Sequence, residues 1–524
     1  MRAVKFAAAA AALASMMFAT APGAQETPVV TLKSFDGFTQ LRGKLLEFDG
    51  NAFTIETPLG QIRVDALQVE CEGEGCPSNL LFGAEFGIYG SNTLGSRLMP
   101  MLIEGYADTL DADVVSEVGQ SALASKLRIV AGNGQEMAAI DIKSEGSSAS
   151  YAALAQGSAA IGMSSRRARD RDIAVLRQAG VPDLRDTDNE HVIALDGLIA
   201  ITHPSNPVKA ISVEELAQVF AGRITNWADL GGRRGPINVY APSDQTGTFQ
   251  TFGSLVLAPS GALITPAARR FDRHSELSDS VANDPSGIGV TGIAFQRAAK
   301  SLPIRQACGI LSYPTTFAMK TEEYPLSRRL YLYTRPNGTP AHAKQLVDFA
   351  LSDLAQPLIA EAGLVNQSVE AKSLDSQGAR LVYAMTSEEE FSPSLMRQML
   401  QELRDADRLS ITFRFTPGAA SLTPKSQIDV TKLAQDISSG LYAGREVLLV
   451  GFTDSVGQFA LNQGLAARRA GVVETELRGL VAPGALADTT INSIGYGELT
   501  PVGCNNTLQG RTANRRVEVW IRNL

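Results

Sequence analysis

Histidine is scarce in this sequence of 524 residues, and short motifs of common enzyme classes are missing from it. The four histidines show no H-x-x-H, H-x-x-x-H or Cys-His spacing, so no metal site is predicted. The sequence has neither a G-x-S-x-G motif nor a P-loop, which excludes two frequent kinds of catalytic centre. We therefore predict a protein that is not an enzyme and that needs no cofactor.

Positive charge is not in excess either. The sequence has 47 Lys and Arg residues against 55 Asp and Glu residues, a net charge of −8. This balance argues against a nucleic-acid partner, because nucleic acids attract basic surfaces. The apolar content of 44% is ordinary for globular protein, and the length predicts about three domains.

Long apolar runs are missing after the N-terminus. There, Arg2 and Lys5 are followed by the Ala-rich stretch Phe6–Phe18 and by small residues up to Ala24, a pattern typical of a secretory signal. The stretch is too short to span a bilayer as a retained helix. We expect residues 1–24 to be removed, which takes away two positive charges and leaves a soluble exported protein with a net charge of −10.

The four cysteines are even in number, as an oxidising compartment allows. Cys71 and Cys76 enclose only four residues, and we expect them to form a disulfide. Cys308 and Cys504 would then form a second disulfide, although they lie in different predicted domains.

The chain is predicted to be an α/β protein of several domains. Residues 25–85 form a small β module, in which Phe53–Thr57 and Gln61–Asp65 alternate around a turn and indicate a hairpin. Residues 86–370 alternate strand and helix signals, including a capping box at Ser212–Glu215 before an apolar helix. Residues 371–408 are interpreted as a linker with a helix near 393–407. Residues 409–524 alternate strands and helices as an α+β domain, with Thr423 and Pro424 starting one helix.

Five ordered segments of the middle region are rich in glycine and hydroxyl groups. They are YGSNTLG (89–95), EGSS (145–148), AIGMSSR (160–166), DGLIA with VFAGRITNW (within 196–227) and SDQTGTF (243–249). Together they resemble the phosphate-binding proteins of ABC transporters. That resemblance implies a type II periplasmic-binding fold, in which two α/β lobes enclose a cleft.

The resemblance also implies a set of anion contacts. A phosphate dianion is held there largely by neutral donors, namely hydroxyl groups and backbone N–H groups at helix starts. The matching positions are Thr93, the Leu94 backbone, Ser147, Ser165, Thr246, Gly247 and Thr248. For each hydroxyl taken singly, the alternative is an N-cap with no ligand.

Two positions depart from the phosphate-binding pattern. The family's Asp, which accepts a hydrogen bond from protonated phosphate, is here Ser165, and the family's Arg is here Pro242. Because the Asp rejects fully ionised sulfate, its loss should relax that discrimination or change the ligand. Arg166 would supply replacement charge if it pointed into the cleft; otherwise it is a surface residue.

The C-terminal region contains GFTDSVG (451–457), LNQ (461–463), ARRA (467–470) and NRRVE (514–518). This set resembles the OmpA-like peptidoglycan-binding domain, in which an Asp and an Arg hold one diaminopimelate side chain. The matching residues are Asp454 and Arg469, with Asn462, Arg515 and Arg516 in supporting positions. Asp accepts from the ammonium, and the planar guanidinium matches the carboxylate. The family often has His at position 452, where this sequence has Phe and thus an altered pocket wall.

These resemblances lead to one main hypothesis and one alternative. In the first, a periplasmic protein, associated with the cell wall or outer membrane, binds phosphate or a related oxyanion and attaches non-covalently to peptidoglycan. In the alternative, the middle domain has lost its ligand and is a docking surface for another envelope protein. A phosphatase is disfavoured, because hydroxyls in an anion cradle are not nucleophiles without a neighbouring base.

Overall fold

The computed structural model of the chain describes residues 28–34, 39–48, 52–65, 69–73, 75–76, 83–118, 123–244, 246–386, 391–415 and 421–524. The expected signal sequence, residues 1–24, lies outside these residues. The chain divides into two compact units after residue 80. No helix within the described ranges is long and apolar enough to cross a membrane.

The N-terminal unit is an antiparallel sheet with the strand order β4-β3-β2-β1-β5. Its strands are β1 (Val29–Ser34), β2 (Gln40–Phe48), β3 (Ala52–Thr57), β4 (Gly60–Asp65) and β5 (Val69–Glu72). The predicted hairpin is confirmed, because β3 pairs with β4 around Pro58 and Leu59. The predicted disulfide between Cys71 and Cys76 is also confirmed.

The middle domain is built on one sheet of eleven strands with the order β13-β12-β14-β11-β18-β10-β6-β9-β8-β7, with β15 paired to β11. The strands of this domain are β6 (Ala84–Gly90), β7 (Ala112–Val118), β8 (Ala124–Ala131), β9 (Glu136–Lys143), β10 (Ile161–Ser164), β11 (Glu190–Thr202), β12 (Asn238–Pro242), β13 (Arg269–Phe271), β14 (Gly287–Gly292), β15 (Lys300–Leu302), β16 (Ile304–Arg305), β17 (Leu311–Ser312) and β18 (Ser327–Thr334). Strands β16 and β17 form a separate hairpin.

Ten α-helices within the described residues accompany these strands. They are α1 (Asn92–Gly95), α2 (Leu98–Asp108), α3 (Ser147–Gln156), α4 (Asp170–Gln178), α5 (Val213–Phe220), α6 (Gly247–Phe252), α7 (His274–Asn283), α8 (Thr316–Lys320), α9 (Ala341–Leu351) and α10 (Gln356–Glu361). The predicted capping box of α5 is confirmed: the Ser212 hydroxyl accepts from the Glu215 amide, and the Glu215 carboxylate accepts from the Ser212 amide. The helix buries Leu216, Val219 and Phe220, as its periodicity predicts.

Two strands connect the halves of this sheet. Strands β6 to β10 form the first lobe, and β12 to β15 form the second lobe. The first half of β11 pairs with β18, whereas Leu198–Thr202 pairs with β14 of the second lobe. β18 in turn pairs with β10 of the first lobe. The predicted two-lobed architecture is therefore confirmed, with β11 and β18 shared between the lobes.

The C-terminal domain has a five-stranded sheet in the order β19-β20-β23-β21-β22. Its elements are β19 (Ala371–Ser373), α11 (Gly378–Thr386), α12 (Pro393–Leu403), β20 (Asp407–Arg414), α13 (Pro424–Ser438), β21 (Arg445–Phe452), α14 (Phe459–Leu480), β22 (Thr489–Gly495), α15 (Leu508–Asn514) and β23 (Arg516–Asn523). The Thr423 hydroxyl caps α13, and Pro424 is its first residue, as predicted.

Both faces of the C-terminal sheet are covered. Val447 and Leu449 of β21 pack on one face with residues of α13 and α14. Leu448 and Val450, which point to the opposite face, pack with Met399 and Leu403 of α12 and their neighbours. Residues 371–408, which we expected to be a linker, therefore provide an edge strand and a helical cover for this sheet.

The middle and C-terminal domains are joined covalently and by buried charges. The predicted disulfide between Cys308 and Cys504 is confirmed. Arg414 donates to the Thr321 carbonyl at 2.8 Å, and the buried Arg408 is paired with Glu323. The second lobe and the C-terminal domain are thus fastened at several points.

Candidate functional site

Three loops of the first lobe meet at one edge of the sheet. Strand β6 lies between β9 and β10 and runs parallel to both, so the carboxyl ends of the three strands are neighbours. The Ser91 amide donates to the Met163 carbonyl at 3.0 Å, and the Gly146 amide donates to the Gly90 carbonyl at 2.7 Å. These bonds bring the predicted anion-binding loops at 91–94, 146–148 and 164–166 together.

Ser147 and Ser165 form a pair within this cluster of loops. Their hydroxyl oxygens are 3.1 Å apart, and the Ser165 amide donates to the Ser147 hydroxyl at 3.0 Å. Ser147 is the first residue of α3 and follows Gly146, whose φ of 101° favours glycine. Two predicted contacts are therefore adjacent, and either hydroxyl is able to donate or accept.

The second lobe contributes the loop before α6. A Cβ added at Gly247 would lie 2.3 Å from the Thr93 hydroxyl oxygen and 2.6 Å from its Cα. Only glycine permits this close approach of the two lobes. Thr93 and Gly247, predicted from separate motifs, thus face each other across the cleft.

Two predicted anion contacts are not available as donors in this structure. The Leu94 amide is bonded to the Ser91 carbonyl at 3.2 Å in the first turn of α1. The Thr246 hydroxyl donates to the Ser243 carbonyl at 2.9 Å and accepts from the Phe249 amide, which makes Thr246 the N-cap of α6. These positions have local structural roles in the structure, and their anion contacts stay predictions.

Thr248 lies beside a histidine that the motifs did not indicate. Its hydroxyl is 3.1 Å from the Nε2 of His274 on α7. Burial lowers the pKa of His274, and the opposing effect of Asp196 is smaller. His274 is therefore neutral near pH 7, and its Nδ1 is buried with no hydrogen-bond partner within the described residues.

A buried guanidinium lies between the lobes. Arg328 of β18 donates from Nη2 to the Thr93 hydroxyl at 3.1 Å and to the Gly247 carbonyl at 3.3 Å. Its Nε is 3.3 Å from the carboxylate of Asp196, its cross-strand partner on β11. Thr251 of α6 also donates to that carboxylate at 2.7 Å. Sequence reasoning missed Arg328, because it is 235 positions from Thr93 and belongs to none of the five motifs.

Arg166 and Arg270, which also lie near these loops, have different partners. Arg166 donates to the Asp172 carboxylate at 2.6 Å and to the Ser148 hydroxyl at 3.1 Å. Arg270 of β13 donates to the Pro242 carbonyl at 3.0 Å and to Asp244 at 2.5 Å. Arg166 is thus held against α4 by an ion pair.

In the C-terminal domain, Asp454 follows β21 and is nearly buried. Its carboxylate accepts from Nη1 of Arg515 at 2.6 Å and from the Val456 amide at 3.3 Å. The ion-pair partner of Asp454 is therefore Arg515, which we had expected only to support the pocket, and the structure contains no ion pair between Asp454 and Arg469 among its described residues.

Arg469 nevertheless lies in the same electrostatic environment. Burial lowers the pKa of its guanidinium, the nearby Arg515 lowers it further, and Asp454 acts in the opposite direction. The guanidinium packs 5.4 Å from the ring centre of Phe415, and its Nη1 is buried without a partner among the described residues. One carboxylate thus faces two guanidinium groups, one paired and one unpaired.

Three other predicted residues have structural contacts. Asn462 donates to the Asp454 carbonyl at 3.2 Å and to Glu498 at 2.7 Å, so it holds the main chain of Asp454. Arg516 is fully buried and bonded to Glu518, away from solvent. The Phe452 ring packs 4.3 Å from the Arg516 guanidinium and is 1% exposed, and its effect on the pocket wall stays a prediction.

Comparison with known proteins gives two separate matches. Residues 106–353 match the PBP superfamily domain, and residues 414–515 match the OmpA family. The phosphate-binding protein PstS of Borreliella burgdorferi is 27% identical over 185 residues, which cover 34% of this chain and 65% of that protein. Outer membrane porin F of Pseudomonas fluorescens is 39% identical over 114 residues, which cover 22% of this chain and 33% of that protein. The chain thus spans less than two thirds of the length of either relative.

A solved structure also aligns with the middle domain. The crystal structure of an ABC-type phosphate transport receptor from Vibrio cholerae is 23% identical and has a TM-score of 0.41. The alignment covers 53% of this chain and 99% of that chain.

Proposed function

We propose that this chain, a PBP-like domain joined to a C-terminal OmpA domain, binds phosphate or a related oxyanion and attaches to peptidoglycan. The first activity belongs to the cleft between the lobes, and the second to the pocket around Asp454. We infer a periplasmic protein of the cell envelope, with binding rather than catalysis as its activity.

The apposition of Thr93 and Gly247 is the observation that carries the anion proposal. Both come from motifs matched to phosphate-binding proteins, and they meet although they are more than 150 positions apart. The Ser147–Ser165 pair lies in the adjoining loops and offers neutral donors. Hydroxyl groups and loop amides of this kind are suited to a tetrahedral oxyanion.

The charge arrangement in the C-terminal pocket supports the peptidoglycan proposal. The free end of diaminopimelate carries an ammonium and a carboxylate on one carbon. Asp454 suits the ammonium, and the unpaired guanidinium nitrogen of Arg469 suits the carboxylate. Arg515 positions the Asp454 carboxylate through an ion pair of 2.6 Å.

Two measurements test the two halves of the proposal independently. Isothermal titration of the full chain with phosphate and then with sulfate should give saturable heat, and the absence of heat at millimolar anion would remove the first half. Sedimentation with purified sacculi should bring the protein into the pellet. Protein that remains in the supernatant would remove the second half.

The alternative is an envelope protein whose middle domain is a docking surface. The internal hydrogen bonds of the Leu94 amide and the Thr246 hydroxyl favour it, because both donors are already used. The departures at Pro242 and Ser165 point the same way. Protein that sediments with sacculi but binds neither anion would support this alternative.

A further inference from the structure

The sequence of the cleft lacks the arginine that phosphate-binding proteins carry at the position of Pro242. A dianion in a buried cleft is costly without a nearby cation. The structure offers three candidates to replace that cation: Arg166, Arg270 and Arg328. Their hydrogen bonds distinguish them.

Arg166 and Arg270 each form an ion pair with an acidic residue that is not one of the predicted anion contacts. Arg166 makes two bonds to Asp172, and Arg270 is bonded to Asp244, whose side chain is 75% exposed. Arg270 also stacks on the ring of Phe249, 4.2 Å from its centre. Within the described part of the chain, neither arginine is hydrogen-bonded to Thr93, Gly247, Ser147 or Ser165.

Arg328 contacts the cleft residues of both lobes. Its Nη2 is bonded to the hydroxyl of Thr93 and to the carbonyl of Gly247. Its Nη1 has no hydrogen-bond partner among the described residues and is not fully enclosed. The side chain is 13% exposed and is positioned through Asp196, which is itself held by Thr251.

We infer that Arg328 supplies the cation for the oxyanion in this cleft, an inference that rests on the proposed anion-binding function. The Nε–Asp196 bond orients the guanidinium, and Nη1 and Nη2 present a fork to the ligand. An anion oxygen would take the place of the Gly247 carbonyl as acceptor for Nη2. Such a replacement improves the bond, because the guanidinium gains a charged acceptor.

The same arrangement defines the class of ligand. Ser165 replaces the carboxylate that rejects fully ionised anions, and the only carboxylate bonded to Arg328 within the described structure, that of Asp196, is neutralised by it. The cleft is therefore suited to tetrahedral dianions with or without a proton, so that sulfate competes with phosphate.

The test is titration of full-length variants with inorganic phosphate and with sulfate. Removal of Arg328 alone would leave Asp196 buried without its partner, so the pair is neutralised together. We expect Asp196→Asn combined with Arg328→Gln to bind both anions at least about tenfold more weakly than Asp196→Asn alone, as expected for one charge-assisted hydrogen bond. Arg328→Lys should retain part of the affinity, because it keeps the charge but not the fork.

Arg270→Gln is the matched control, and it should bind like the wild type. The inference would be overturned if the double variant bound the anions as tightly as, or more tightly than, Asp196→Asn alone. It would also be overturned if only Arg270→Gln lost affinity. In each of these cases the proposed anion-binding function would still hold, provided that the wild-type protein binds phosphate or sulfate. A wild type that binds neither anion removes both proposals. Thermal melting of each variant, followed by near-UV circular dichroism, verifies that the compared proteins are folded.

Discussion

Cys308 and Cys504 are bonded to each other across 196 positions and join the second lobe to the C-terminal domain. The Gln306 side chain reinforces the junction, because it accepts from the Cys504 amide at 3.1 Å and donates to the Val502 carbonyl at 3.3 Å. The C-terminal domain is thus attached to one lobe of the middle domain by a covalent bond.

Replacement of both cysteines of this junction by serine should destabilise the two domains together. A cross-link over a loop of this size contributes about 5 kcal/mol through the entropy of the unfolded chain. Urea unfolding followed by fluorescence is a direct measure, since the two tryptophans of the sequence, Trp227 and Trp520, lie in the two joined domains. The Cys71→Ser and Cys76→Ser pair is the control, and an equal effect of both pairs would contradict the prediction.

Sedimentation with sacculi should depend on three charges rather than on two. Asp454→Ala, Arg469→Ala and Arg515→Ala should each weaken binding at least about tenfold, because each removes a charge-assisted contact or its positioning partner. Arg468→Ala is the matched control, since this exposed arginine is the neighbour of Arg469 on α14. Binding that is lost equally with Arg468→Ala would point to a general effect of positive charge.

Ser165→Asp should restore discrimination against sulfate if the cleft binds anions as proposed. The new carboxylate would accept from protonated phosphate but would face an anionic oxygen of sulfate. We expect the ratio of phosphate to sulfate affinity to rise at least about tenfold, since one repulsive or missing bond costs over 1 kcal/mol. Ser158→Asp, an exposed serine beyond the other end of α3, should leave the ratio unchanged. A ratio that stays constant in Ser165→Asp would show that this position does not contact the ligand.

His191 should make the stability of the middle domain depend on pH. Burial lowers the pKa of His191 to about 4, although Asp186 and Asp188 act in the opposite direction. Between this value and the unfolded value near 6.5 the unfolded chain binds more protons, so stability is full above that range and falls as the pH drops through it. From pH 7 to pH 5 the loss should be about 2 kcal/mol. The urea midpoint should change less between pH 7 and pH 5 in His191→Gln than in the wild type. If the change were the same in both proteins, other groups would be responsible for it.

We expect Glu518 to be the carboxylate of the C-terminal domain whose replacement lowers the free energy of unfolding most. It is fully buried and paired with Arg380, Arg408 and Arg516, and it accepts from the Trp520 indole at 3.0 Å. Glu518→Gln would leave Arg380 and Arg516 without a countercharge, whereas Arg408 would keep Glu323. We expect the free energy of unfolding to fall by about 3–5 kcal/mol. Urea unfolding would measure it, with the exposed Glu476→Gln as control. A wild-type midpoint in Glu518→Gln would mean that water or another group neutralises these arginines.

Local features of the sequence were predictive. The capping box at Ser212 and the start of α13 at Thr423 were expected and are confirmed, because a cap involves residues only three positions apart. The order of the motifs likewise predicted the two-lobed fold. Residues 371–408 were interpreted as a linker, but the apolar residues of their helices pack against the C-terminal sheet. This sheet is formed mostly by strands later in the chain, so the packing was not evident from the local sequence.

The hydrogen-bond partners of hydroxyl groups and charges did not follow from the motifs. A motif places Thr246 and Thr248 two positions apart, yet one caps a helix and the other contacts His274. Arg515 was expected to assist and instead pairs with Asp454, while Arg469 packs against Phe415. Such roles depend on which polar atoms come within about 3 Å of one another, a distance that motif spacing does not specify.

The order of apolar and capping residues along the chain predicted many of the helices and strands, and the resemblance of the ordered motifs to known families implied the two lobes and the C-terminal domain. Only the tertiary structure showed that Arg328 lies between Thr93 and Gly247 and that Arg515 pairs with Asp454. The reason is physical: secondary structure arises from neighbours within a few positions, whereas ion pairs and cross-links require side chains from distant strands to meet in one small volume.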